Sequence, residues 1–155
     1  MALGFGLRQG EILGTIWGDV DLDEERLDVR HQLQRSGRWQ LVPTKTRNSL
    51  RTVVLIGNPA LTALRAHKTG WTRGTIAGLE KLFLTAAGAP IDAHNLAKVF
   101  KRTVTRLDLP PIVFYELTAI LTTGNLHAGV PSNQVADMIG DSLAMVEAYP
   151  PVVHR

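Results

Sequence analysis

The amino-acid sequence predicts an α+β fold, mainly α, in which a small three-stranded antiparallel sheet packs on a helical bundle. Three observations carry this. Three strand candidates follow one another in the stretch from Leu27 to Ile56. A single helical pattern precedes them, and helical spacing dominates from Asn58-Pro59 to the end of the chain. At 155 residues the chain is long enough to bury one core, so the prediction is one domain over 1–155.

From Leu3 to Trp17, Leu7, Ile12, Leu13 and Ile16 keep a helical rhythm that Gly10 and Gly14 interrupt. The run from Asp19 to Glu25 is acidic and turn-like. Leu27, Val29, His31 and Leu33 give the alternation of a first strand. Ser36-Gly37 turns into a second strand at Trp39–Val42, and Arg51–Ile56 makes the third. The connection from Pro43 to Ser49 is polar and basic, as expected of an exposed loop.

Asn58 is suited to cap a helix with Pro59 at its first position and Ala60, Leu61 and Leu64 on one face. A Gly/Thr-rich loop follows over Lys68–Gly78, then an extended piece over Lys81–Thr85 and a turn at Gly88-Ala89-Pro90. Asp92 can cap a helix with Leu96, Val99, Phe100 and Val104 inward and Lys98, Lys101, Arg102 and Arg106 outward. Pro110-Pro111 stops it. Helices are also predicted from Phe114 to Leu126, weakened by Gly124 and Asn125, from Pro131 to Ile139, and from Leu143 to Tyr149.

A hydrophobic content of 45% with 20% charged residues excludes a disordered chain. The net charge of +3 is compatible with a nucleic-acid partner but is common among soluble proteins. With no cysteine, disulfides and thiolate metal sites are excluded, and the absence fits a cytoplasmic location. No apolar run is long enough to span a bilayer, and the first residues lack the features of a signal peptide. His31, His67, His94, His127 and His154 are scattered without metal-pair spacing, so no metal is expected.

Four blocks then carry a resemblance. They are Gly6-Leu7-Arg8-Gln9-Gly10-Glu11 running on to Trp17-Gly18-Asp19, and Pro43-Thr44-Lys45-Thr46 with Ser49 and Arg51-Thr52-Val53. The third is Val113-Phe114-Tyr115-Glu116-Leu117 with Ala128-Gly129-Val130-Pro131, and the fourth is Val135 to Gly140 ending at Tyr149. In this order the blocks resemble the tyrosine recombinases and phage integrases over nearly the whole chain. Arg-x-x-Glu alone is weak; four ordered blocks with strands between them are specific.

The chemistry explains the residue types. Attack on a phosphodiester places charge on its non-bridging oxygens, which planar arginines grip with paired bonds. A lysine or histidine protonates the departing deoxyribose oxygen. A covalent phosphotyrosine conserves the bond energy, so the resemblance implies no cofactor. It implies that Arg8 clamps the phosphate with Glu11 supporting it, that Lys45 is the general acid, and that Tyr149 is the nucleophile. Plainer readings are a surface arginine, a solvated loop lysine and a packing tyrosine ahead of Pro150-Pro151. Arg47 and Arg51 are read as DNA-phosphate contacts or solvated charges.

The chain departs from the family pattern at three positions. The second box normally reads His-x-x-Arg, where this chain has Tyr115 and Thr118. An alternative alignment deletes the Arg-His pair between Leu117 and Thr118, with a compensating insertion near Gly124-Asn125; both leave the second arginine missing. After Gly140 stands Asp141 instead of His or Trp, an anion beside the phosphate site. The interval from Asp141 to Tyr149 is about two residues shorter than the family's, and losing one clamp costs on the order of a hundredfold in rate. The resemblance further implies an N-terminal DNA-clamping domain, which is absent from 1–155. Its implied partners are double-stranded DNA and recombinase protomers in a synaptic tetramer. The function expected is impaired DNA cleavage and rejoining through a 3'-phosphotyrosyl intermediate. Alternatives are an inactive remnant that binds DNA or an intact recombinase, and a decayed product without function.

Overall fold

The computed structural model describes residues 1–44, 49–55, 59–70, 74–76 and 78–149. It is an α+β domain, mainly helical, with small antiparallel sheets. The N-terminal helical pattern resolves into α1 (Ala2–Phe5) and α2 (Gln9–Gly14). The break falls at Gly6, not at Gly10 or Gly14. Gly6 closes α1 at φ 64°, where a Cβ would stand 2.8 Å from Ile139 Cγ2. Gly14 serves packing instead: a Cβ there would lie 2.5 Å from Gln32 Cα and 2.6 Å from His31 O, so only glycine lets α2 reach the neighbouring strand.

A 3-10 turn at Trp17–Asp19 leads to β1 (Val20–Asp21), β2 (Arg26–Val29), β3 (His31–Ser36), β4 (Arg38–Pro43) and β5 (Arg51–Val54). A three-stranded antiparallel sheet is present, but its order is β1-β2-β5, and β3-β4 form a separate hairpin. The expected first strand, Leu27–Leu33, therefore divides at Arg30. That side chain reaches back to Asp28 at 2.6 Å and to Asp19 at 3.7 Å, and the two halves take different partners. Leu27 pairs with Val53 in register, both buried in the main core. Gly37 makes the β3-β4 turn at φ 71°.

α3 (Pro59–Thr69) begins at the expected proline; its proposed cap Asn58 lies outside the described residues. A short hairpin, β6 (Thr75–Ile76) with β7 (Leu79–Glu80), precedes α4 (Ala93–Arg106). Asp92 caps α4 by accepting from His94 N at 2.8 Å, and that bond is the first cause holding its carboxyl below the usual range, with Arg35 adding to it. α5 (Glu116–His127), α6 (Ser132–Ile139) and α7 (Leu143–Glu147) complete the chain. Leu117 joins α5 to the main core of α1, α2, β2, β5 and α3, while Val135, Ala136, Ile139 and Val146 form a second cluster beneath α6 and α7. Among the described residues, no helix is long and apolar enough to cross a membrane.

Candidate active site

Arg8 stands between α1 and α2 in extended conformation and caps α2. Its backbone N–H donates to Glu11 Oε2 at 2.9 Å, satisfying a group that the helix start would leave bare. Its guanidinium donates to Glu11 Oε1 at 3.3 Å, to Gly140 O at 3.4 Å and to Asp141 Oδ2 at 3.0 Å. The side chain keeps 39% of its surface exposed, so one edge of the cation meets solvent.

Glu11 is buried and serves two arginines. Arg51, at the start of β5, donates to Glu11 Oε2 at 3.0 Å and to Glu11 Oε1 at 3.3 Å. It also donates to Met138 O at 2.9 Å and Ser49 O at 3.2 Å. With its side chain 6% exposed, Arg51 is an internal strut between β5, α2 and α6. This corrects its expected place as a DNA-phosphate contact or a solvated charge: the buried carboxylate of Glu11 requires a second cation, and Arg51 supplies it.

The left-handed Gly140, at φ 70°, ends α6 and turns Asp141 toward Arg8. Asp141 Oδ1 accepts from Ser142 N at 3.1 Å, and the Ser142 hydroxyl caps α7 through Met145 N at 3.3 Å. α7 buries Val146 and delivers Tyr149, half-buried, within the electrostatic field of Arg8, Asp141 and Tyr115. Burial raises the Tyr149 phenol above its ordinary pKa; Tyr115 and Asp141 add to the rise, and Arg8 opposes it.

The remaining positions divide. Tyr115 stands at the start of α5 with 80% of its surface exposed. Thr118 is half-buried one turn in, where its carbonyl accepts from the Thr122 hydroxyl. Lys45 and Arg47 lie outside the described residues. Hydrogen bonds thus join Arg8, Glu11 and Asp141, and the charges of Arg8 and Asp141, with Tyr115, act on Tyr149.

Sequence reasoning missed Lys81. It is fully buried, and its Nζ donates to Leu13 O at 2.5 Å and Thr15 O at 3.1 Å, the carbonyls ending α2. Burial depresses its pKa to about 8, against the opposing pull of Asp19. No local pattern marks it: Leu79, two residues earlier, is exposed, and Leu82, of opposite parity, is as deeply buried as Lys81. Asp19 was also missed; buried, it holds His31 Nδ1 at 3.0 Å. Among the described residues no group of three His, Asp or Glu side chains could hold a metal ion.

The chain is 30% identical over 167 aligned positions to the tyrosine recombinase XerC-like protein of Caldanaerobacter subterraneus subsp. tengcongensis, covering 96% of this chain and 42% of that protein. Among solved structures, the Tn1549 transposon integrase in complex with a circular intermediate DNA superposes with a TM-score of 0.86 at 21% identity, over 99% of this chain and 52% of that one. The XerA recombinase gives a TM-score of 0.73 at 18% identity, over 99% of this chain and 51% of that one. This chain therefore spans about half the length of the proteins it resembles. No family model matches it. Sequence and fold agree nonetheless: over nearly its whole length the chain is similar to tyrosine recombinases.

Proposed function

We propose that this domain binds double-stranded DNA and carries the strand-cleaving chemistry of a tyrosine recombinase in weakened form. One observation supports the reading: Arg8, near the start of the chain, is hydrogen-bonded to Gly140 and Asp141 near its end, and Arg8 and Asp141 both act electrostatically on Tyr149. In the reaction, Tyr149 Oη bonds to a phosphorus held by Arg8 and the bond to the 5'-oxygen breaks. The phenol gives up its proton and the departing oxygen takes one, a role that the resemblance assigns to Lys45. Rejoining reverses the exchange, and protomers of a synaptic tetramer would supply the second strand.

α4 supports the DNA partner. Lys98, Lys101, Arg102 and Arg106 are exposed at helical spacing along one stripe, and none is ion-paired to a carboxylate among the described residues. Weak turnover follows from Tyr115 and Thr118 standing where the family has His and Arg, and from Asp141 lying on Arg8.

The test is a pool of nicked duplexes of randomised sequence, whose cleaved product drifts away and traps the covalent adduct. Wild type should give a denaturant-stable protein–DNA adduct, and Tyr149→Phe should give none. Absence of adduct, with salt-sensitive DNA binding retained in Tyr149→Phe, would refute the chemistry and favour the inactive DNA-binding remnant. That second reading rests on the occupied Arg8 and the raised Tyr149.

A further inference from the structure

We infer that Asp141 is a built-in anion that occupies the phosphate-binding edge of Arg8, so that an incoming phosphate engages the arginine only by displacing this carboxylate. The inference deepens the DNA-binding reading and rests on it for the identity of the phosphate.

Formal charges at the site show why. Arg8 and Arg51 bring two positive charges, and Glu11, shared between them, brings one negative. The cluster of three is left with one net positive charge. Arg51 is nearly enclosed, so that charge can meet an external anion only through Arg8, whose side chain is 39% exposed. Asp141, 3.0 Å from Arg8, cancels it.

Asp141 is held for the task at its other end. Gly140 turns the chain in the left-handed region, and Ser142 N donates to Asp141 Oδ1 while Oδ2 faces Arg8. A guanidinium bonds a carboxylate and a phosphate with the same donors, so the two anions compete for one seat. Glu11 stays in place during the exchange because it is buried under Arg8 and Arg51. The site thus separates a permanent carboxylate, which orients the arginine, from an exchangeable one, 27% exposed, which covers it.

The test compares wild type, Asp141→Asn and the double variant Arg8→Gln/Asp141→Asn in the full chain. Asp141→Ser is the second single variant, and thermal unfolding confirms that each is folded. Duplex DNA binding is followed by fluorescence anisotropy against salt. Thermal stabilisation by inorganic phosphate is measured in parallel, against chloride at matched ionic strength. Both single variants should bind duplex on the order of tenfold more tightly. The slope of log K against log salt should steepen by about 0.9, one added phosphate contact. Inorganic phosphate should stabilise the single variants more than wild type. Every gain should vanish in the double variant.

Unchanged affinity, slope and phosphate response, or gains that persist without Arg8, would overturn the inference. A phosphate gain with no DNA binding by any variant would uphold the latch and sink the DNA reading. Equal DNA binding by all variants with no phosphate gain would do the reverse.

Discussion

Lys81→Met separates the charge of a buried lysine from its place in the fold. Lys81 is fully enclosed, with a folded pKa of about 8 against an ordinary 10.5. At about 1.4 kcal/mol for each factor of ten in the protonation equilibrium, the charged form costs the fold about 3 kcal/mol at neutral pH. The sign follows from proton counting. Between pH 8 and 10.5 the unfolded chain keeps the proton that the folded chain has released, so stability rises with pH across that window and this contribution levels off above it. Methionine fills similar space without titrating, but takes the amine from the carbonyls of Leu13 and Thr15, of which Thr15 keeps the Leu82 N–H. Denaturant unfolding of both proteins, below, within and above the window, reads the difference. That subtraction removes Tyr149, whose raised pKa acts in the opposite direction above its ordinary value of 10.0. The stability difference should move against methionine by about 3 kcal/mol from the bottom of the window to the top. A flat difference would refute the buried, proton-releasing lysine.

Glu11→Ala should destabilise the domain by about 3–5 kcal/mol in denaturant unfolding, because it strips the carboxylate from the enclosed Arg51 and from the cap of α2. Gly14→Ala should cost about 1–3 kcal/mol, since its Cβ would meet the backbone of His31 and Gln32 rather than a side chain able to move. Serine at the same position should lower the melting temperature at least as far.

Local chemistry was legible where a residue's own neighbours decide its role. Asp92 caps α4, Ser36-Gly37 turns the hairpin and Pro59 opens α3, each through side-chain or φ preferences written within a few residues. Arg8 and Glu11 stood out only through the family resemblance, and the structure adds that they form the cap of α2. Contacts that close over long sequence distances were not legible. The alternation through Leu27–Leu33 shows no break, yet the strand divides at Arg30 because β5 and β4 claim different halves. Gly10 and Gly14 looked like helix breakers, but Gly14 is dictated by the approach of β3. Arg51 reads as a surface cation until Glu11, forty positions earlier, is seen to need it. Lys81 escaped for the same reason: the carbonyls that receive its amine belong to α2.

Asp141 contributes to both of the weaknesses proposed for the site. In the proposed reaction Tyr149 would lose its proton to attack, and burial, Tyr115 and Asp141 all favour keeping it. Arg8 favours losing it, but Arg8 is already paired to Asp141. One carboxylate therefore works against both halves of the proposed chemistry: it pairs with the cation that would hold the phosphate, and it adds to the rise of the phenol that would attack. Loss of Tyr115 or relief of burial would help the phenol alone. Removing Asp141 both frees Arg8 and removes one of the charges that raise Tyr149, so its effect on adduct formation should exceed its effect on DNA affinity. Adduct yield per bound duplex is the measurement that separates the two. A rise in Asp141→Asn would assign the impairment to this residue, whereas an unchanged ratio would assign it to Tyr115 and Thr118, where the family's histidine and second arginine would stand.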